Sequence, residues 1–308
     1  MIVRLHKVDG KWPNLALMKL SAYHKAQGHD VDWWNPLADR PDLLLISKVF
    51  TDTPDLPYHV PDGAQIDKGG SGYNLRLTLP AEIEATRPDY TMAEGFPNAL
   101  GFTSRGCVRS CRFCIVRDKE GPWYPVTDDI RDFWTGQDAI TLLDNNLTAD
   151  EDHFLKIVGQ IVDAGVKVDF NQGLDIRLIT PVMARLLAKT RQPQRTIHFA
   201  FDHIGMEDVI RRQVPMLRAN GVAKDRLMFL LLIGFDSTPE EDAHRVAVLD
   251  DLGVYAFVMP YDRKDRYQQD FARWCNHKAI KGRVPFDKYV RNKYDNRRVP
   301  KDQGEPAC

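Results

Sequence analysis

The sequence has no apolar run approaching the ~20 residues that a membrane-spanning helix requires, and its opening Met1 to His6 lacks the shape of a secretion signal. It also has almost no charge excess: 42 Lys and Arg stand against 43 Asp and Glu, for a net charge of −1. A field strong enough to draw the whole chain onto nucleic acid or an anionic surface is therefore excluded. Cysteine is scarce, at five in 308 residues, and an odd number without a leader argues against a disulfide framework. These absences lead us to expect a cytoplasmic protein with no membrane partner. What remains is an ordinary globular composition, 43% hydrophobic and 28% charged. The chain is long enough for one barrel-like domain plus a smaller unit.

Three of the five cysteines, Cys107, Cys111 and Cys114, fall in Gly106-Cys107-Val108-Arg109-Ser110-Cys111-Arg112-Phe113-Cys114, directly after an apolar run, Ala99 to Thr103, that reads as a strand. Three thiolates so close on one loop can converge on a single metal centre, which a regular strand or helix of that length would not permit. A zinc site normally closes with four protein ligands, and no fourth is evident. An iron-sulfur cube is normally held by four thiolates, so three suggest a cluster with one iron open to another ligand. On the loop alone, a zinc knuckle or three incidental thiols stay open as alternatives. Cys275 and Cys308, the remaining cysteines, are too few to bind a second cluster by themselves.

The spacing Cys-x3-Cys-x2-Cys, with the aromatic Phe113 before the last cysteine, resembles the signature of the radical S-adenosylmethionine (radical SAM) superfamily. The resemblance implies that Cys107, Cys111 and Cys114 ligate one 4Fe-4S cluster, that the open iron is chelated by SAM, and that Phe113 borders the adenine. It implies reductive cleavage of SAM to methionine and a 5'-deoxyadenosyl radical, an external electron donor of flavodoxin or ferredoxin type, and hydrogen abstraction from a substrate the sequence does not identify.

Before the loop, Ile2 to Val8, a helical pattern through Leu15, Met18, Leu20, Tyr23 and Ala26, His29 to Trp34, and Leu43 to Val49 read as strand, helix, strand and buried strand. This small α/β unit, with its linker covering 1–97, resembles the N-terminal cobalamin-binding-like domain of one radical SAM subgroup. The Asp-x-His-x-x-Gly pattern whose histidine ligates cobalt is absent, so cobalamin is carried as a candidate cofactor without a ligand motif, beside a degenerate scaffold domain. Lys68 to Tyr73 reads as a flexible glycine-rich run and Asn74 to Leu79 as an edge strand.

From Ala99 onward, strand-like runs at 99–103, 139–143, 166–170, 196–201, 227–233 and 254–258 alternate with helical segments, two of which open on Thr180-Pro181 and Ser237-Thr238-Pro239. Helix faces such as Phe154, Ile157, Val158, Ile161 and Val162, or Ala243, Val246, Ala247 and Leu249, read as core. Six β/α repeats demand a parallel sheet, and their number matches the partial (βα)6 TIM-like barrel of the superfamily, expected over 98–277. In such barrels the chemistry collects at the carboxyl ends of the strands. By position, the resemblance assigns Asp144 and Asn145 to the amino group of SAM, Arg177 to its carboxylate, Asp202 to its ribose, and Ile233 and Gly234 to its adenine. An Asp175–Arg177 structural ion pair is the competing reading of that strand end. Asn171, Gln172, Asp175 and Tyr261 are the candidates for contacting substrate.

Residues 278–308 carry 9 Lys and Arg against 4 Asp and Glu. Lys278, Lys281, Arg283, Lys288, Arg291, Lys293, Arg297 and Arg298 are interleaved with Phe286, Tyr289 and Tyr294. Such a basic extension either recruits a nucleic acid through phosphates and stacking or packs across the preceding domain through its aromatics. The expected function is that of a radical SAM enzyme. Alternatives are a cobalamin-type radical SAM methyltransferase, a nucleic-acid-modifying enzyme and, from another class, a nucleic-acid-binding or redox-sensing iron-sulfur protein.

Overall fold

The computed structural model describes residues 1–55, 60 and 62–291. The chain is mixed α/β with several parallel sheets, and it divides into two compact units, Met1–Arg195 and Thr196–Cys308.

The first unit opens with strands β1 (Ile2–Lys7), β2 (Asp30–Trp33), β3 (Leu43–Ser47) and β4 (Gln65–Gly69), all parallel, in the order β2-β1-β3-β4. All five residues of β3 are buried, which is why it reads as a continuous apolar run rather than an alternating one. Helix α1 (Leu15–Ala26) crosses from β1 to β2; Asn14 caps it by accepting from the Leu17 amide at 3.1 Å, and the chain leaves it through Gly28 at φ +77°. The edge strand is β4, not the expected Asn74 to Leu79, which lies in turns and irregular backbone. Gln-Ile-Asp-Lys-Gly is mostly exposed and forms a strand because β3 supplies a partner edge, not because its own pattern demands one. A short helix α2 (Ala81–Glu84) follows.

A second parallel sheet in the same unit has the order β5-β8-β9, formed by β5 (Asn98–Gly101), β8 (Ala139–Leu142) and β9 (Lys167–Phe170), with Leu100 opposite Thr141 and Ile140 opposite Val168. Between β5 and β8 the chain makes a two-stranded antiparallel ribbon, β6 (Ser104–Arg105) with β7 (Tyr124–Pro125), and a short helix α3 (Val116–Glu120). Helix α4 (Glu151–Asp163) buries Phe154, Ile157, Val158 and Ile161, as its periodicity predicts, and α5 (Pro181–Lys189) starts on the Thr180 cap with proline at its first turn.

The expected boundary at 97/98 falls inside this unit. Val3, Leu5, Leu17 and Leu45 share one hydrophobic cluster with Met92, Ala93 and Leu100, and Phe102 and Leu143 pack against it. Tyr90 reinforces the junction: its hydroxyl accepts from the Leu100 amide at 3.0 Å and donates to the Phe133 carbonyl at 2.6 Å.

The second unit holds a parallel sheet β10-β11-β12, made of β10 (Ile197–Ala200), β11 (Leu227–Ile233) and β12 (Tyr255–Pro260), with helices α6 (Glu207–Ala219), α7 (Pro239–Leu252), α8 (Arg266–Asn276) and α9 (Lys278–Lys281). Helix α7 opens on a capping box between Thr238 and Glu241. Its buried residues are Asp242, Arg245, Val246, Val248 and Leu249, while Ala243 and Ala247, expected in the core, are exposed.

The described part of the basic extension packs onto α8. Phe286 stands edge-on to Phe271 with ring centroids 4.9 Å apart and lies 5.5 Å from Trp274, whose indole N–H donates to the Val284 carbonyl at 2.7 Å. Lys278 sits 3.7 Å over the Tyr255 ring, Lys281 pairs with Asp250 and Arg291 with Asp270. Lys293, Tyr294, Arg297, Arg298 and Cys308 lie outside the described residues. No helix among the described residues is long and apolar enough to cross a membrane.

Candidate functional site

The thiol-bearing loop leaves β6 and returns to β7, so the antiparallel pairing of Arg105 with Tyr124 closes its base. Gly106 is at φ +70°, and a Cβ there would lie 2.1 Å from the Pro122 carbonyl oxygen, so no other residue fits. Its amide donates to Glu120 Oε2 at 3.2 Å, the Cys107 amide donates to the Gly121 carbonyl at 3.3 Å, and Arg117 donates to the Cys107 carbonyl at 3.0 Å. A turn with Cys114 N–H on the Cys111 carbonyl at 3.0 Å sets the other two cysteines. All three cysteines are partly exposed and none forms a disulfide. Phe113, beside Cys114, is half-buried.

The Cys107 sulfur accepts from the Arg109 amide at 3.3 Å and from Asn146 Nδ2 at 3.5 Å. Asn146 is buried and is held in turn by the Thr148 hydroxyl, which donates to its Oδ1 at 2.8 Å. That hydroxyl also accepts from the Asp175 amide at 3.1 Å, so the ends of β8 and β9 are tied together behind the loop.

The polar residues at the strand ends divide into those turned inward and those turned outward. Asp144 is 4% exposed, and its carboxylate accepts from the backbone N–H and the hydroxyl of both Thr103 and Ser104. Behind Thr103, His153 Nε2 is 3.1 Å from the same hydroxyl. Burial pushes the Asp144 carboxyl up, against the lowering effect of these donors. The assignment of Asp144 to an amino group thus meets a carboxylate already engaged in clamping the exit of β5 to the end of β8. Replacing it with asparagine, Asp144→Asn, keeps the size but confronts those donors with an NH2 group. We expect a loss of about 1–3 kcal/mol in urea unfolding; an unchanged midpoint would remove the clamp. Asn145, the next residue, is half-buried and donates from Nδ2 to Glu120.

At the end of β9, Asp175 accepts from Arg177 Nε and Nη2 at 2.6 and 2.9 Å, and from Arg109 Nε of the cysteine loop at 2.8 Å. Burial alone would raise Asp175, but the hydrogen bonds and charges of Arg177 and Arg109 outweigh it and hold its carboxyl below the ordinary carboxylate range. The structural ion pair considered for this strand end is therefore formed, with Arg109 added to it. Asn171 and Gln172 bond to each other, Gln172 Nε2 to Asn171 Oδ1 at 2.9 Å.

The second unit carries the other expected residues. Asp202, half-buried, accepts from the Leu232 amide at 3.3 Å. Ile233 is buried and its carbonyl accepts from the Tyr261 amide at 3.1 Å. Gly234 is at φ +75°, where a Cβ would lie 2.1 Å from Gln268 Nε2. Tyr261 is exposed and stands edge-on to Phe235 at 4.9 Å.

No protein-family model matches the chain, and no curated protein matches it in sequence.

By donor type alone the three thiols of the loop match a sulfur-ligated iron cluster, although they are not gathered on one point. Three thiols lie on one clamped segment, and two N–H groups point at Cys107, the kind of contact that stabilises a thiolate and tunes a cluster. Among the described residues no group of three or more His, Cys, Asp or Glu is gathered tightly enough to hold a metal ion. Cys275, by contrast, is buried in α8 and burial pushes its thiol up to about 11. Sequence reasoning missed Arg109, Glu120 and Asn146. Asn146 follows the two strand-end residues assigned from the sequence; Arg109 lies between Cys107 and Cys111 and Glu120 after Cys114, with no spacing signal to single them out.

Proposed function

We propose that this protein is a radical SAM enzyme, built on a partial (βα)6 barrel, that acts on a substrate still to be identified. The reading is carried by one observation: three partly exposed cysteines at the superfamily's spacing on a loop clamped at its base, with Cys107 already accepting two N–H groups. Cys107, Cys111 and Cys114 would hold the cluster. When bound, such a cluster would supply the electron, drawn from a flavodoxin- or ferredoxin-type donor, for reductive cleavage of SAM to methionine and the radical that would take a hydrogen atom from substrate. The protein's own part is to bind, orient and exclude water. Asn145 offers an amide to the amino group of SAM, and Phe113 offers a half-buried ring. Arg177 reaches the SAM carboxylate only while sharing its guanidinium with Asp175. Asp202, Ile233 and Gly234 are carried from the resemblance as contacts to the nucleoside, and Asn171, Gln172 and Tyr261 as polar candidates for substrate. Cobalamin is no part of this reading, because no ligand motif supports it.

The test is anaerobic reconstitution with iron and sulfide, followed by addition of SAM and a reductant. The expected results are a cluster spectrum that changes when SAM is added and the release of 5'-deoxyadenosine. A cluster that forms but does not respond to SAM would favour the redox-sensing or nucleic-acid-binding alternative, which needs no open iron. A zinc-only protein would sink both.

A further inference from the structure

The cysteine loop is joined to helices α1 and α2 by a line of alternating charges. Lys19 of α1 donates to Glu84 Oε1 at 3.1 Å, Arg105 Nη2 donates to the same oxygen at 2.7 Å, and Arg105 Nη1 donates to Glu120 Oε1 at 3.1 Å. Arg105 is also stacked 3.9 Å over the Phe102 ring. Glu120 ends the line with a side chain only 8% exposed. Its second oxygen, Oε2, accepts from two further donors: the Gly106 amide at the foot of the loop and Asn145 Nδ2 at the end of β8.

The second of these contacts has a chemical consequence. Both Glu120 oxygens already accept, Oε1 from Arg105 and Oε2 from the Gly106 amide, so Asn145 meets the carboxylate through its NH2. The amide is thereby oriented with its carbonyl oxygen turned away from Glu120 and offered as an acceptor. An acceptor at that position suits an ammonium group and does not suit a carboxylate. Were Glu120 a donor, Asn145 would be free to turn over and present its NH2 instead.

We infer that Glu120 is a positioning residue for the amino-acid end of SAM: by fixing the orientation of Asn145 it makes this strand end selective for a ligand bearing a protonated amine. The inference rests on the radical SAM reading above and goes beyond it by assigning the selectivity to a residue that touches no ligand. The salt-bridge line to Lys19 holds Glu120 in place, which gives the N-terminal helices a role in the site that requires no cofactor of their own.

The experiment compares SAM with its deamino analogue, which lacks only the amino group, as ligands of the cluster-loaded protein, binding being read from the change in the cluster spectrum. In the wild type, SAM should bind more tightly than the analogue. In Glu120→Gln, with iron content unchanged, SAM affinity should fall about tenfold or more, while affinity for the analogue stays within about twofold, so that the preference collapses. Asn145→Ala, which removes the acceptor and leaves the Glu120–Arg105 pair intact, should show the same collapse, and it carries the test if Glu120→Gln fails to fold. If the wild type binds SAM but the variants lose both ligands alike, or lose neither, the Glu120 assignment is overturned and the radical SAM reading stands. If the wild type takes up no cluster and no SAM, that reading itself falls and the inference goes with it.

Discussion

Replacing Cys111 by alanine is expected to take iron from about four atoms per reconstituted chain to background and to abolish 5'-deoxyadenosine formation. The same result is expected for Cys107→Ala and Cys114→Ala. On the radical SAM reading proposed above, one iron is reserved for SAM and the three thiols would serve the other three; loss of any one would leave an iron without protein or SAM ligation. The thiols are equivalent in count but not in surroundings. Cys107 is held by the Arg109 amide and Asn146, whereas Cys111 and Cys114 share a turn. The control is Cys275→Ala. That thiol is 4% exposed within α8 and burial keeps it protonated, so its removal should leave the iron content unchanged and cost only packing. Iron and sulfide analysis with electron paramagnetic resonance of the reduced protein provides the measurement. Full cluster occupancy in Cys111→Ala, or its loss in Cys275→Ala, would mean that the ligands have been misassigned.

The features legible in the sequence are those that a local pattern enforces. The apolar runs at 139–143 and 227–233 became β8 and β11, and the caps Thr180 and Thr238 start helices where Thr-Pro places them. The cysteine loop stands out in the sequence by its spacing, and the structure puts it between β6 and β7 with none of its three thiols in a disulfide. The illegible features depend on partners far away in the chain. Strand β4 is polar and exists only because β3 offers an unpaired edge. Asp144 and Asn145 are adjacent in sequence, yet one is buried among Thr103 and Ser104 and the other reaches Glu120, a difference of facing that composition does not reveal. The boundary after residue 97 looked like a linker because its turns and polar residues are local, while the core that crosses it joins Val3 to Leu100 over nearly a hundred residues of chain.

Helix α7 shows the same limit most sharply, and it yields the largest expected loss of stability. Its buried stripe includes a carboxylate and a guanidinium, Asp242 and Arg245, both 0% exposed. Arg245 donates to the Phe201 carbonyl at 2.6 Å, to the Leu232 carbonyl at 2.9 Å and to Asp242 Oδ1 at 2.7 Å. Asp242 also accepts from the Ser237 hydroxyl at 2.7 Å and from the Tyr267 hydroxyl at 3.1 Å. Burial and the neighbouring Asp242 charge push the Tyr267 hydroxyl well above its ordinary value, so it stays a donor. One side chain thus bonds a carbonyl just past the end of β10 and another near the end of β11. Arg245→Met fills similar space but strands the Asp242 charge and both carbonyls; removing one member of such a pair costs about 3–5 kcal/mol. The double variant Arg245→Met with Asp242→Leu removes the stranded charge too and should regain a substantial part of that loss in denaturant unfolding followed by circular dichroism. A single variant within about 1 kcal/mol of the parent, or a double variant no better than the single, would show that the pair does not hold the strand ends. If it does hold them, the effect should also reach the ligand. Leu232 donates its amide to Asp202 and precedes Ile233 and Gly234; if those residues contact SAM as proposed above, loosening the Leu232 carbonyl should weaken SAM binding in Arg245→Met under conditions where the protein is still folded.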